Sequence, residues 1–348
     1  MQPWRAVLSS EPTNPQLAVL GCGSVGRRHI RNLTHLGSPP YVAVDPSPES
    51  RALVEKEFGI ATKDTLTERA LEECDAVIIS SPSSSHFSQA KSAAAAGRHV
   101  FVEKPLATSL DGLNDLIHVV EAKRLVGFVG SNWKFHPSFR RMKEVLEKKV
   151  IGKITSARCQ FGSYLPNWRP WQDYRQAYSS RAALGGGILL DSHEFDYMMW
   201  FLGPIQDISC FSGHVSSLEI DTEDTASVIM RFANGAVADM HLDYTQRLYQ
   251  RNFEFFGEAG TLLWSVRDHA VSLFTAADNN WVEWEEPADY DLNTMYVEEM
   301  RHFLDCIEGS AKPITDFKHG YAVLQAILAA KESSQTGRAV RLNGSGNS

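Results

Sequence analysis

The chain has 348 residues, 43% hydrophobic and 22% charged, an ordinary globular composition whose length points to two domains rather than one core. Acidic residues outnumber basic ones by 42 to 34, for a net charge of -8; no Lys/Arg run is long enough to track a nucleic-acid backbone, and no apolar stretch reaches the roughly 20 residues that span a bilayer. Cys22, Cys74, Cys159, Cys210 and Cys306 are scattered without a C-x-x-C pair, which argues against a disulfide framework or a thiolate zinc site. Met1 to Gln16 lacks the basic start and apolar run of a secretory signal, so the chain reads as cytoplasmic, with neither nucleic acid nor membrane as a partner.

From Leu17 onward, short apolar runs alternate with helical patterns. The runs are 17–20, 41–44, 76–79, 100–102 and 125–129, with helices expected over 25–36, 48–58, 64–72, 86–96 and 109–124. Continuous apolar runs of this length suit a parallel sheet covered on both faces. Residues 1–128 are therefore read as a doubly wound α/β domain of the Rossmann kind.

Gly21-Cys22-Gly23-Ser24-Val25-Gly26 follows the first run and opens a helix. In that context a G-x-G-x-x-G binds a dinucleotide: the glycines admit a pyrophosphate close to the backbone, and the free N–H groups of the helix start donate to it. A plain strand-to-helix turn is the other reading of the same glycines. Asp45 ends the second run, where a carboxylate accepts from the adenosine ribose hydroxyls and repels a 2′-phosphate. NAD is thereby favoured, with NADP kept open by Arg27 and Arg28 beside the loop. Asp45 could equally be a turn residue ahead of Pro46.

Beyond residue 128 the pattern changes. A helix over 137–149 leads into strand-like segments at 153–164, 205–217, 225–233, 236–244, 251–256, 260–265, 270–275 and 281–284, and Asn234-Gly235 between two of them is a hairpin signal. Strands that follow one another without helices argue for a mainly antiparallel sheet. Helices over 293–308 and 318–333 and a disordered tail at 343–348 complete the expectation. Residues 129–342 thus form an α+β domain with a large open sheet, from which a late helix can pack back on the first domain.

Several further motifs follow the glycine loop in order: Ser81-Pro82-Ser83-Ser84-Ser85-His86, Ala96-Gly97-Arg98-His99-Val100, Glu103-Lys104-Pro105, Asn132-Trp133-Lys134-Phe135-His136-Pro137, and Gly185-Gly186-Gly187-Ile188-Leu189-Leu190-Asp191 with His193 just beyond. Together they resemble the glucose-fructose oxidoreductase/inositol dehydrogenase/rhizopine catabolism (Gfo/Idh/MocA) family over roughly 17–335. The resemblance implies a Rossmann domain, an open-sheet domain used for substrate and for oligomer contacts, a homo-oligomer (dimer or tetramer), and reversible oxidation of a sugar or polyol hydroxyl. It assigns the cofactor to Gly21, Gly23, Ser24, Val25, Gly26, Asp45, Ser81, Pro82, His86, Glu103 and Lys104. Lys104 is also placed at the substrate hydroxyl. The chemistry is consistent, because a carbinol C–H gives up hydride only as its O–H loses a proton, so a cation beside the oxygen and a base are both needed.

In the family the base is commonly a histidine three or four residues after an aspartate. Here Asp191 and His193 are two apart, and residues two apart on a helix do not share a face. Asp191 therefore has two readings, as a catalytic residue or as a helix N-cap with Glu194 as its capping-box partner, ahead of the apolar face Phe195, Met198, Met199 and Leu202. His193 titrates near neutrality and suits proton transfer, with Asp196 placed to orient it.

Residues 164–175 are rich in aromatics and arginine, suited to sugar faces and to bidentate binding of carboxylate or phosphate, or simply a packed loop. Substrate contacts are expected at Lys104, Asn132, Trp133, Tyr164, Trp168, Arg175, Asp191 and His193. Lys134 stands where many members carry arginine. No metal is expected, since no H-E-x-x-H or Cys cluster occurs.

The resulting expectation is an NAD(P)-dependent dehydrogenase or reductase of a sugar, polyol or sugar derivative. A redox-neutral glycoside hydrolase that uses NAD transiently, and a non-catalytic dinucleotide or sugar sensor, are the alternatives. Lys104 and His193 count against the sensor, which needs no proton-transfer pair.

Overall fold

The structure, a computed structural model, describes residues 14–191 and 193–342; the tail expected to be disordered lies outside them. Six parallel strands, β1 (Leu17–Leu20), β2 (Val42–Val44), β3 (Ala61–Lys63), β4 (Ala76–Ile79), β5 (His99–Val102) and β6 (Gly127–Val129), form a sheet in the order β3-β2-β1-β4-β5-β6. The apolar runs of β1 and β4 are buried throughout, because helices cover both faces: α1 (Ser24–His35), α2 (Pro48–Phe58), α3 (Glu68–Glu72), α4 (His86–Ala95) and α5 (Leu113–Ala122). Strand order reverses between β1 and β4, which opens a crevice at their carboxyl ends. The glycine loop and Ser80-Ser81 lie there.

Three details depart from the sequence pattern. α3 begins at Glu68 rather than at residue 64, where the Thr67 side chain caps it by accepting from the N–H of Ala70 (3.2 Å). β3 was not expected, because Ala61-Thr62-Lys63 sits at the sheet edge, half-buried or exposed, and carries no apolar run. α5 begins at Leu113 rather than at residue 109, since Gly112 takes a left-handed conformation (φ 71°) just ahead of it.

The second sheet has nine strands: β7 (Ile154–Gly162), β8 (Ile205–Gly213), β9 (Thr225–Phe232), β10 (Val237–Asp243), β11 (Gln250–Gly257), β12 (Gly260–Ser265), β13 (Ala270–Thr275), β14 (Asn280–Glu285) and β15 (Val340–Arg341), in the order β14-β13-β12-β11-β7-β10-β9-β8-β15. All its pairs are antiparallel except β7 with β10. β9 alternates strictly, burying Ala226, Val228, Met230 and Phe232, as a sheet with one core face and one open face requires. β8 ends at Gly213, short of the expected residue 217, because the N–H groups of Val215 and Ser216 turn to donate to the Asp224 carboxylate (both 3.0 Å).

The buried face of this sheet is covered by α6 (Pro137–Glu147), α7 (Ile188–Asp191), α8 (Glu194–Leu202) and α10 (Phe317–Thr336), while α9 (Asn293–Ile307) lies against α1. The late segments tie the two sheets together. Asn293 on α9 donates to Asn32 on α1 (2.9 Å), and Val129 of β6 donates to the carbonyl of Thr315 (2.9 Å). These contacts bring the late segments against the first domain, beside the crevice at the ends of β1 and β4.

Candidate active site

A cleft of about 710 Å³ runs from the glycine loop, past the ends of β4 and β5, to the loop that follows β7. Its floor depends on glycine. A Cβ on Gly21, which has φ +94°, would lie 2.7 Å from the backbone of Ser80 and Ser81, and one on Gly26 would lie 1.8 Å from the carbonyl oxygen of Gly21. A Cβ on Gly23 would meet nothing within 4 Å, so this glycine faces open space. Asp45 holds the turn in place, its carboxylate accepting from the N–H of Cys22 (2.7 Å) and of Ser47 (2.8 Å). An open glycine turn at a helix start, with a carboxylate at the end of the next strand, is a donor and acceptor set that fits a dinucleotide.

Gly21, Gly23, Ser24, Val25, Asp45, Ser81, Pro82, His86, Glu103 and Lys104 all line the cleft. Gly26 does not line it and serves the packing of α1 on the turn. The buried His86 ring bridges two loops, with nitrogens 2.7 Å from the carbonyl oxygen of Pro105 and 2.9 Å from that of Ser81. Glu103 lies 2.7 Å from the ring of His29. Burial pushes the Glu103 carboxyl up, but the His29 hydrogen bond and nearby positive charge outweigh it and hold it below the usual range.

Lys104 follows β5 and donates to Asp191 Oδ1 at 2.9 Å and to the Asp191 carbonyl oxygen. Asp191 also accepts from Ser179 Oγ (2.7 Å), the Tyr244 hydroxyl (3.1 Å) and the Tyr178 hydroxyl. Burial alone would lower the pKa of Lys104, but the Asp191 charge and Tyr178 outweigh it and hold the ammonium above the ordinary lysine value. The converse holds for Asp191: burial raises its pKa, and the Lys104 charge with the hydroxyl donors brings it well below the usual carboxylate range. Tyr178 is pushed up to about 12, by burial first and by Asp191 next. The site thus holds a charged pair beside neutral phenols.

The helix-cap reading of Asp191 fails. α7 ends at Asp191 and α8 starts at Glu194, preceded by His193 with no side-chain cap, and the Asp191 carboxylate is spent on Lys104 and three hydroxyls. Glu194 instead accepts from the N–H of His193 (2.9 Å) and lies 2.7 Å from Arg251. The same break answers the two-residue spacing: Asp191 and His193 belong to different helical pieces, so both line the cleft.

The His193 ring stacks on Tyr197, with centroids 5.5 Å apart and planes 7° apart. Burial, with the charges of Lys104 and Arg251, holds its pKa well below the usual imidazole value. Asp196 does not orient it. That carboxylate accepts from Lys134 Nζ (2.6 Å) and Ser131 Oγ and bonds the His319 ring. Lys134 is fully buried, a structural cation in a network behind the cleft.

Of the expected substrate contacts, Asn132, Trp133 and Trp168 line the cleft with Lys104, Asp191 and His193, whereas Tyr164 and Arg175 do not. Tyr164 carries the Arg247 guanidinium on its ring face (3.7 Å). Arg175 is exposed and paired with Asp173 (3.0 Å) and Glu219 (2.7 Å). Arg28, expected beside the glycine loop, lines the cleft; sequence reasoning did not single out Arg169, Trp171, Tyr178, Arg251 and Tyr296, which line it too. Arg169, Trp171 and Tyr178 lie in or beside the aromatic segment, whose richness was the available signal; Tyr296, on α9, carried none. Among the described residues, no group of three or more His, Cys, Asp or Glu is placed to hold a metal ion, and no helix is long and apolar enough to cross a membrane.

The geometry agrees with comparisons to known proteins. Residues 16–131 match the model of an oxidoreductase family with an NAD-binding Rossmann fold, and residues 139–263 match that of the GFO/IDH/MocA C-terminal domain. The myo-inositol 2-dehydrogenase of Thermotoga maritima is 26% identical over 340 residues, covering 94% of this chain and 98% of its own. The scyllo-inositol 2-dehydrogenase (NAD(+)) of Bacillus subtilis is 27% identical over 342 residues, covering 94% and 96%. A solved structure of levoglucosan dehydrogenase in complex with NADH shares the fold, with a TM-score of 0.85 at 22% identity over 95% of this chain and 100% of its own. With both domains matched in order and the lysine, aspartate and histidine gathered at one cleft, the chain belongs to the Gfo/Idh/MocA family of oxidoreductases.

Proposed function

We propose that the protein is an NAD-dependent dehydrogenase or reductase acting on a hydroxyl or carbonyl of a sugar, polyol or sugar derivative. The observation that carries this reading is the Lys104–Asp191 pair (2.9 Å), set in the same cleft as the glycine loop and His193. Gly21, Gly23, Ser24 and Val25 would hold the pyrophosphate, Asp45 the adenosine ribose, and Ser81, Pro82, His86 and Glu103 the nicotinamide half. Bound there, the nicotinamide supplies the hydride acceptor or donor. Lys104 donates to the reacting substrate oxygen and stabilises its negative charge as the O–H proton leaves. His193 takes that proton, which its depressed pKa allows because the ring is neutral at pH 7. Asp191 holds no proton itself and keeps Lys104 charged and in place. Trp133 and Trp168 wall the substrate side and exclude water from the reacting centre.

The reading includes a cytoplasmic homo-oligomer. Its support is five buried free cysteines and the exposed apolar side chains of Phe211, Ile229 and Val237 on the open face of the second sheet, on β8, β9 and β10; light scattering on the purified protein measures the subunit number. To test the activity, the protein is incubated with NAD and a panel of inositols, sugars and sugar acids while NADH is followed. Net NADH with one substrate supports the dehydrogenase. Bound NAD with sugar-bond cleavage and no net NADH contradicts it in favour of the redox-neutral hydrolase.

A further inference from the structure

The cations of the cleft differ in what neutralises them. Lys104 pairs with Asp191, and Arg251 lies 2.7 Å from Glu194. Arg28 rests 4.3 Å over the Tyr296 ring, on α1 and so on the cofactor side. Arg169 stands apart: it lines the substrate side of the cleft, and among the described residues it forms no ion pair. Asp173 in its own loop, and Glu219, are both taken by Arg175.

Arg169 is nonetheless held in place. Its guanidinium lies over the Tyr178 ring, 5.4 Å from the centroid, a cation–π contact that uses none of its N–H donors and leaves them for a planar, bidentate acceptor. The hydroxyl of that same ring donates to Asp191, which holds Lys104. One tyrosine therefore touches both the reacting end of the site and Arg169, so a substrate with its hydroxyl at Lys104 and its body along the Tyr178 ring extends toward the guanidinium. Around it stand Trp168, Gln172, Gln176 and Trp171, the last 74% exposed at the mouth. A neutral sugar covering this guanidinium can accept from its N–H groups but leaves its charge unpaired, whereas a carboxylate or phosphate satisfies both, with the stronger charge-assisted bonds.

We propose that the substrate is an anionic sugar derivative whose carboxylate or phosphate is bound by Arg169. The position of the reacting hydroxyl rests on the dehydrogenase reading above, whereas the anion site does not depend on hydride transfer.

The test is equilibrium binding. The enzyme loaded with NADH is titrated with D-glucuronate, D-galacturonate and D-glucose 6-phosphate against D-glucose and D-galactose, in the wild type and in Arg169→Gln, following tryptophan fluorescence. A charge-assisted bidentate contact predicts that at least one anion binds about 10- to 100-fold tighter than its neutral parent and that Arg169→Gln loses this margin, with NADH affinity retained. A margin for the uronates assigns a carboxylate; a margin for the 6-phosphate assigns a phosphate. If no anion outbinds its neutral parent, or if the preference survives Arg169→Gln, the inference is overturned. Turnover read in parallel separates the two readings: anion preference without NADH formation defeats only the dehydrogenase, and neutral turnover without anion preference defeats only the anion site.

Discussion

Asp191→Asn is the substitution that most sharply separates a residue holding Lys104 charged from one that accepts the substrate proton. It keeps the shape of the side chain but removes the charge 2.9 Å from Lys104 Nζ. The lysine is buried, and burial favours its neutral form; the Asp191 charge is the largest effect opposing this. An opposite charge at such range is worth about 1–3 pKa units, or about 1.4–4 kcal/mol in favour of the ammonium. In the wild type, Lys104 therefore stays charged to above the ordinary lysine value of 10.5, and kcat/KM for oxidation holds through the alkaline range. In Asp191→Asn the alkaline limb should move down by about 1–3 pH units. The assay is the pH profile of kcat/KM, with NADH affinity and thermal unfolding as controls for the fold. An unchanged alkaline limb at unchanged NADH affinity refutes the reasoning. So does loss of the acid limb in place of the alkaline one, because that limb belongs to His193.

Three further outcomes follow from the same geometry. His193→Asn should lower kcat by about 10²–10⁴-fold, the usual worth of a general acid or base, and abolish the acid limb, which in the wild type falls below pH 6.5 because the imidazole pKa is depressed and its neutral form is the active one; steady-state kinetics between pH 5 and 8 reads both. Asp45→Ser should raise the NADPH-to-NADH affinity ratio by about 10-fold or more through relief of like-charge repulsion, measured by titrating each dinucleotide. Lys134→Met keeps the volume but leaves the Asp196 carboxylate with one cationic partner fewer in a buried network; it should cost about 3–5 kcal/mol in a denaturant titration.

Much of the first domain is legible because its signals are local. An apolar run, a glycine turn and a carboxylate at the end of the next strand lie within thirty residues, and in that order they narrow each other's readings toward a dinucleotide site. Lys104 is legible for the same reason, as the residue just past a buried strand. The second half of the site is harder to read. Asp191 had two readings, catalytic residue or helix cap, because Asp191 and Glu194 have capping-box spacing, and the break between α7 and α8 leaves the carboxylate to Lys104. Asp196 looked like a partner of His193 on one helical face, yet it is drawn to Lys134 and His319, the latter 123 residues away in sequence. Arg175 and Arg169 share one loop and one chemistry. Arg169 meets the cleft while Arg175 pairs with Asp173 and with Glu219, the latter from a segment no local pattern connects to the loop.

The central claim is that Lys104 carries hydride chemistry at a nicotinamide site. The most direct measurement is nicotinamide absorbance during incubation of NAD and substrate with wild type and Lys104→Met, alongside NADH affinity for both proteins. The account predicts net NADH from the wild type with at least one sugar derivative, and loss of turnover in Lys104→Met with NADH binding retained. Turnover that survives Lys104→Met at unchanged NADH affinity would contradict it.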